Sequence, residues 1–187
     1  HFGEFGGVNP SISDSATYTF LSAKKMFDTF EGKAEGCYLY SRHSSPSTLY
    51  LGEAISAMEG TEAAHVTASG MGAITPVIMQ LCDAGDHLVS SRTIYGGTYA
   101  FLKNFAPKLN INTSFVDITN LEKVEASINE NTKMIFCEVV SNPLLEIADI
   151  KGLAKIAKKH NLKLVVDNTF SPLSANPYKM GADVVIH

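Results

Sequence analysis

The stretch Lys163-Leu164-Val165-Val166-Asp167-Asn168-Thr169-Phe170 is a short apolar run that ends in one carboxylate. Consecutive apolar positions mark a strand buried on both faces of a parallel sheet, and ligands of open α/β sheets bind beyond the carboxyl ends of such strands. Asp167 is thereby delivered to the edge where a ligand would lie. A lone carboxylate at a buried edge is costly unless a cation meets it, which makes Asp167 the first functional candidate. The competing reading is a turn cap or a pairing with a nearby lysine.

Outward from Asp167 strands and helices alternate. A helix near 150–160 starts at Asp149, turns Ile150, Leu153, Ala154 and Ala157 inward, and ends with Lys158, Lys159 and His160, where the helix dipole favours cations. Lys133 to Val140, Asn112 to Val116 and His87 to Ser90 read as strands, and Ala182 to His187 begins another after a proline-containing loop. A helix with Thr119 and Glu122 at capping-box spacing turns Leu121, Val124 and Ile128 inward, and another covers about 97–106. Ala63 to Thr67 reads as a strand leading into a helix after Gly70, with Ile74, Val77, Ile78 and Leu81 on its buried side and a stop near Gly85.

Nearer the start, Ser45 and Pro46 open a helix lined by Leu51, Ala54, Ile55 and Met58 and closed by Gly60, and a short helix covers about 22–29. The first twenty residues, rich in Gly, Ser, Asn and aromatics (Phe2, Phe5, Tyr18, Phe20), show no periodicity and are expected to form an arm that needs a surface to lie on. The whole pattern predicts an α/β fold, a mostly parallel sheet sandwiched by helices, with residues 1–44 as the arm segment and 45–187 as one large domain.

With 45% hydrophobic and 18% charged residues over 187 positions, the chain is globular and large enough for about one full core. A formal net charge of −4 leaves no basic surplus to neutralise phosphates, so a non-specific nucleic-acid binder is not expected. Cys37, Cys82 and Cys137 are far apart and odd in number, which suits reduced thiols in the cytoplasm. No CxxC or HExxH motif supports a zinc site, and no apolar run is long enough to span a bilayer.

Three more segments can carry chemistry. Ser69-Gly70-Met71-Gly72 lies between a strand and a helix start, where backbone amides and the helix dipole suit a phosphate. It is not a dinucleotide fingerprint, because Thr75 stands where the third glycine belongs, and no GK[ST] sequence exists. Tyr95-Gly96-Gly97 follows one strand and offers a flat aromatic for stacking on a planar ligand. Asn142-Pro143 follows another and offers a hydrogen-bonding amide. Taken singly, each has an ordinary role in a turn. With Asp167 they place four ligand-capable elements at one sheet edge.

In this order Tyr40-Ser41-Arg42, Ala68-Ser69-Gly70-Met71, Tyr95-Gly96-Gly97-Thr98, Ser141-Asn142-Pro143 and Val166-Asp167-Asn168-Thr169 strongly resemble the Cys/Met-metabolism (transsulfuration) family of pyridoxal-phosphate (PLP) enzymes. Its members include methionine γ-lyase, cystathionine lyases and synthases, and O-acylhomoserine sulfhydrylases. The resemblance implies the large domain of a type I PLP-dependent transferase, and a reaction that eliminates or replaces the β- or γ-substituent of a sulfur amino acid or O-acylated homoserine. By it, Ser69, Gly70 and Met71 would hold the cofactor phosphate, Tyr95 would stack on the ring and assist proton transfer, and Asn142 would contact the phenolic oxygen. Asp167 would bind the pyridine nitrogen, with Thr169 supporting the site. Tyr40 and Arg42 would reach a neighbouring subunit's phosphate, which implies a homodimer, commonly paired into a homotetramer, with residues 1–44 helping to join subunits.

Two departures accompany the resemblance. The family continues Val-Ile-His with Ser-x-Thr-Lys, whose lysine forms the Schiff base; here the sequence stops at His187, so the chain is expected to be the N-terminal portion of a longer enzyme, incomplete at its C-terminal end. Gly97 stands where methionine γ-lyases commonly carry cysteine, which favours a relative with a Tyr-Gly-Gly-Thr loop. Two other readings compete: a truncated, non-catalytic binding or assembly module, and a nucleotide-binding α/β domain in which Gly70–Gly72 hold a phosphate and Asp167 a ribose or metal.

Overall fold

The computed structural model describes residues 6–187, so Phe2 and Phe5 of the expected arm lie outside the described residues. The chain divides into two compact units, residues 1–66 and 67–187.

In the first unit, α1 (Ala23–Phe30) begins where the Ser22 hydroxyl accepts the Lys25 N–H. Helix α2 (Pro46–Glu59) opens on a reciprocal cap: Ser45 Oγ accepts the Thr48 N–H, and Thr48 Oγ1 accepts the Ser45 N–H. Pro46, with no amide hydrogen to strand, fills the first position, and Gly60 closes the helix at φ 76°, a conformation glycine adopts without strain. Residues 13–17, before α1, lie on their own unit. Thr17 bridges Tyr40 antiparallel, the Ser41 N–H donates to Ala16 at 3.0 Å, and the Ser13 N–H donates to Ser47 Oγ at 2.8 Å.

The strand expected at Ala63–Thr67 does not form. Two alanines lower the strand propensity of the segment, and the Ala64 carbonyl instead approaches α2 so closely that a Cβ on Gly52 would sit 2.8 Å from it.

The second unit starts with α3 (Gly70–Leu81), capped by Ser69 Oγ accepting the Gly72 N–H, and carries Pro76 in its interior. Next come β1 (His87–Ser91), α4 (Gly96–Ala100), β2 (Asn112–Val116), α5 (Leu121–Ala126), β3 (Thr132–Glu138), α6 (Ile150–Lys159), β4 (Lys163–Asp167), α7 (Pro177–Met180) and β5 (Val184–Ile186). The five strands form an entirely parallel sheet in the order β2-β1-β3-β4-β5, as the α/β alternation predicts.

Strand alternation sorts the core into two faces. Val89, Ile135, Cys137, Leu164 and Val166 pack with Val124 of α5 and Leu153 of α6. Leu88, Met134, Phe136 and Val165 pack with Ile74 and Ile78 of α3 and with Leu102. The inner strands β3 and β4 are apolar on both faces, which is why their sequences read as runs rather than alternations.

Three local expectations need correction. The helix expected over 97–106 is α-helical only to Ala100; it widens into a π turn over Phe101–Phe105 and tightens to a 3-10 turn over Ala106–Leu109. Pro107 lacks an amide hydrogen and crowds the carbonyl four residues back, which disfavours a continuous α ladder there. The cap of α5 is Asn120, whose side chain accepts the Lys123 N–H, whereas Thr119 bonds Asp117 at 2.7 Å. The loop after β4 contains the short α7, capped by Asn176.

Candidate active site

In this strand order β2 is added on one side of β1, and β3, β4 and β5 follow on the other. The switch falls between β1 and β3, where two successive crossovers leave in opposite directions and open a crevice at the carboxyl edge. A cavity of about 220 Å³ is lined there by Gly70, Met71, Tyr95, Glu138, Asn142 and Asp167, with Thr169 at its wall. The chain segments following β1, β3 and β4 and the start of α3 all contribute.

Asp167 and Glu138 are register partners at the ends of β4 and β3. By alternation they share the face of Val165, Met134 and Phe136, the face covered by α3. Asp167 is buried, and its Oδ1 accepts the Thr169 N–H at 2.9 Å. The adjacent Asn168 is fully buried and organises the following loop: its side-chain amide donates to the Ala175 carbonyl, and its Oδ1 accepts the Ser171 hydroxyl.

Glu138, also buried, accepts the Tyr95 N–H at 2.7 Å on Oε1 and the Asn142 N–H at 2.8 Å on Oε2. Burial pushes its carboxyl above the ordinary range; the two amides pull it down, and the neighbouring Asp167 pushes it up again. Bonds to a charged acceptor contribute about 1.5–3 kcal/mol each, enough to offset much of the several kcal/mol that desolvating a carboxylate costs. The site therefore presents two carboxylates side by side, an environment complementary to a cationic group.

At the start of α3, the Ser69 hydroxyl is occupied by the helix cap. The amides of Gly70 and Met71 precede any possible i→i−4 partner, so they and the positive end of the helix are available to an anion. Tyr95 stands before α4 with its side chain half-exposed. A Cβ on Gly97 would fall 2.6 Å from its ring and 3.1 Å from the Met71 sulfur. Helix-start amides, a carboxylate pair and an aromatic ring lining one cavity suit a flat, phosphorylated, cationic heteroaromatic ligand.

The sequence profile of the Cys/Met metabolism PLP-dependent enzymes matches residues 2–187. The chain belongs to this family. Among its relatives in the family, methionine gamma-lyase of Arabidopsis thaliana is 47% identical over 100% of the chain and 43% of the relative. O-succinylhomoserine sulfhydrylase of Pseudomonas aeruginosa is 39% identical, with 97% and 45% covered. A solved family structure, an O-acetylhomoserine (thiol)-lyase from Campylobacter jejuni containing a pyridoxyl-lysine phosphate, superposes with a TM-score of 0.93 at 33% identity, covering 99% of this chain and 46% of that one. The chain thus spans less than half the length of these relatives.

Of the family-derived site residues, Gly70, Met71, Tyr95, Asn142, Asp167 and Thr169 meet at one cavity. Ser69 adjoins it as the helix cap. Tyr40 and Arg42 belong to the first unit, where the Arg42 guanidinium lies 5.3 Å from the Tyr40 ring centre. Sequence reasoning missed Glu138. The signal was present, an apolar run ending in a carboxylate as at Asp167, but Val139 and Val140 continue the run and hide its end.

Proposed function

We propose that the full-length protein is a PLP-dependent enzyme that eliminates or replaces the β- or γ-substituent of sulfur amino acids or O-acylated homoserine. The observation that carries this reading is the buried Asp167 at a carboxyl edge shared with Glu138, lining one cavity with a helix N-terminus. PLP, when bound, supplies an electron sink for a substrate carbanion. Asp167 holds a proton on the ring nitrogen, the Gly70 and Met71 amides bind the phosphate, and Asn142 orients the phenolic oxygen. Tyr95 stacks on the ring and stands ready to pass a proton to the departing group. Thr169 braces Asp167 through its amide.

The same reading makes the catalytic unit a homodimer, paired into a homotetramer. Residues 1–44 serve as the subunit-contact segment of a chain whose positions 45–187 belong to the large domain, and Tyr40 and Arg42 act on a neighbouring subunit's cofactor phosphate. Three free cysteines support a cytoplasmic setting. No helix among the described residues is long and apolar enough to cross a membrane.

The test is Asp167→Ala in the full-length protein, assayed with cystathionine, methionine and O-acylhomoserine and titrated with PLP. Turnover should fall by at least about a hundredfold, the scale seen when one preorganised electrostatic partner is removed. Wild-type turnover in that variant would sink the assignment.

A further inference from the structure

We propose that Glu138 is a positioning residue, stitching together the two loops between which the cofactor ring would lie. The inference rests on the PLP reading of the site. The backbone pairing of β1 with β3 ends at Ser90 and Phe136. Beyond that pair the strands part to open the crevice, and no main-chain ladder fixes the loop after β1 against the loop after β3. Glu138 replaces it: Oε1 takes the Tyr95 N–H at 2.7 Å and Oε2 takes the Asn142 N–H at 2.8 Å.

These are the backbone amides of the two residues assigned to the ring's face and its phenolic oxygen, so one buried side chain sets the spacing between both contacts. The job calls for two acceptors on one planar group, which an ionised glutamate has and a glutamine lacks. Glutamine would turn an NH2 donor toward one of the two N–H groups. Glu138 also extends the negative wall begun by its register partner Asp167, so it acts on the ring nitrogen through the field and on the ring's pose through the loops.

The experiment compares full-length wild type with Glu138→Gln by three readouts: exchange of the Tyr95 and Asn142 amide hydrogens in the PLP-free protein, the dissociation constant for PLP, and visible circular dichroism per bound PLP, which reports ring pose. In the wild type both amides should be protected. In E138Q at least one should exchange about tenfold faster or more, PLP binding should weaken about tenfold, the loss of one hydrogen bond to a charged acceptor, and the dichroism should change while α6 amides keep their protection.

Unchanged dichroism and affinity in a folded E138Q would overturn the proposal, as would two amides that exchange at open-loop rates in the wild type. Should E138Q fail to fold, Glu138→Asp keeps the charge and both acceptors one methylene further back, and carries the same readouts. A wild type that takes up no PLP would sink the proposed function instead, and amide exchange would then decide the role of Glu138 by itself.

Discussion

A Cβ at Gly97 would stand 2.6 Å from the Tyr95 ring and 3.1 Å from the Met71 sulfur, so a side chain there requires the ring to shift. Tyr95 is 49% exposed, so its ring can swing aside without unpacking a core. The penalty of Gly97→Ala should therefore fall on ligand placement and not on folding. We expect a melting temperature within about 2 °C of wild type and PLP binding weakened about three- to tenfold, measured by thermal unfolding and by titration. At this scale Asp167 was legible through convergence: a carboxylate ending an apolar run also reads as a turn cap, and it is the ligand-capable segments at the same sheet edge that favour a ligand. Asn168 was not legible as a loop organiser, because its worth depends on the Ala175 carbonyl and the Ser171 hydroxyl, whose positions only the folded loop supplies.

Elements with strong punctuation were legible nearly to the residue. Helix α2 has its serine cap, its proline and its closing glycine, and α6 starts at Asp149, whose side chain accepts the Gly152 N–H. The turn series from Gly96 to Leu109 was not, because periodicity hardly separates α from π geometry over one turn. At the foot of the sheet a device appeared that no motif announced. His87 of β1 joins Thr132 of β3 at 2.8 Å through Nδ1 and Ser114 of β2 at 2.9 Å through Nε2.

Burial pushes the imidazole of His87 below its ordinary value of 6.5, so as pH falls the unfolded chain takes up the proton first. Stability from this group is complete above that ordinary value and is lost as pH falls toward the folded-state one. Urea unfolding at about pH 7.5 and about pH 5 should show this loss, and His87→Gln, which cannot titrate, should shrink the difference. Gly181 supplies an element-scale test of packing. It ends α7 at φ 111°, and a Cβ there would lie 2.7 Å from the Ala154 Cβ on α6. Gly181→Ala should lower the unfolding free energy by about 1–3 kcal/mol in a denaturant titration, strain and contact acting together.

For the whole molecule, the class of fold was legible from alternation alone, but strand order was not: buried apolar runs such as those of β3 and β4 are nearly interchangeable by composition, and it is the direction of each crossover that opens the crevice between β1 and β3. The proposed action of Arg42 across subunits has a direct check in the full-length protein. Mixing Arg42→Ala and Asp167→Ala subunits puts both lesions into one site of each mixed dimer and leaves the other site whole, so about a quarter of wild-type activity should return after random reassortment. Recovery near zero would place both residues in the same subunit's site. The two-faced core has a last implication, one of parity. Even positions of β3 and odd positions of β4 look toward the cavity side, and their neighbours look the other way. Deleting a single residue inside β3 would send Glu138 into the slot of Cys137 in the aliphatic layer and bring Val139 to the ligand edge, exchanging chemistry for packing. For such a strand, gaps of one residue are less tolerable than most substitutions, and divergence among related chains should proceed by replacement within β3 and by insertion only in the loops beyond it.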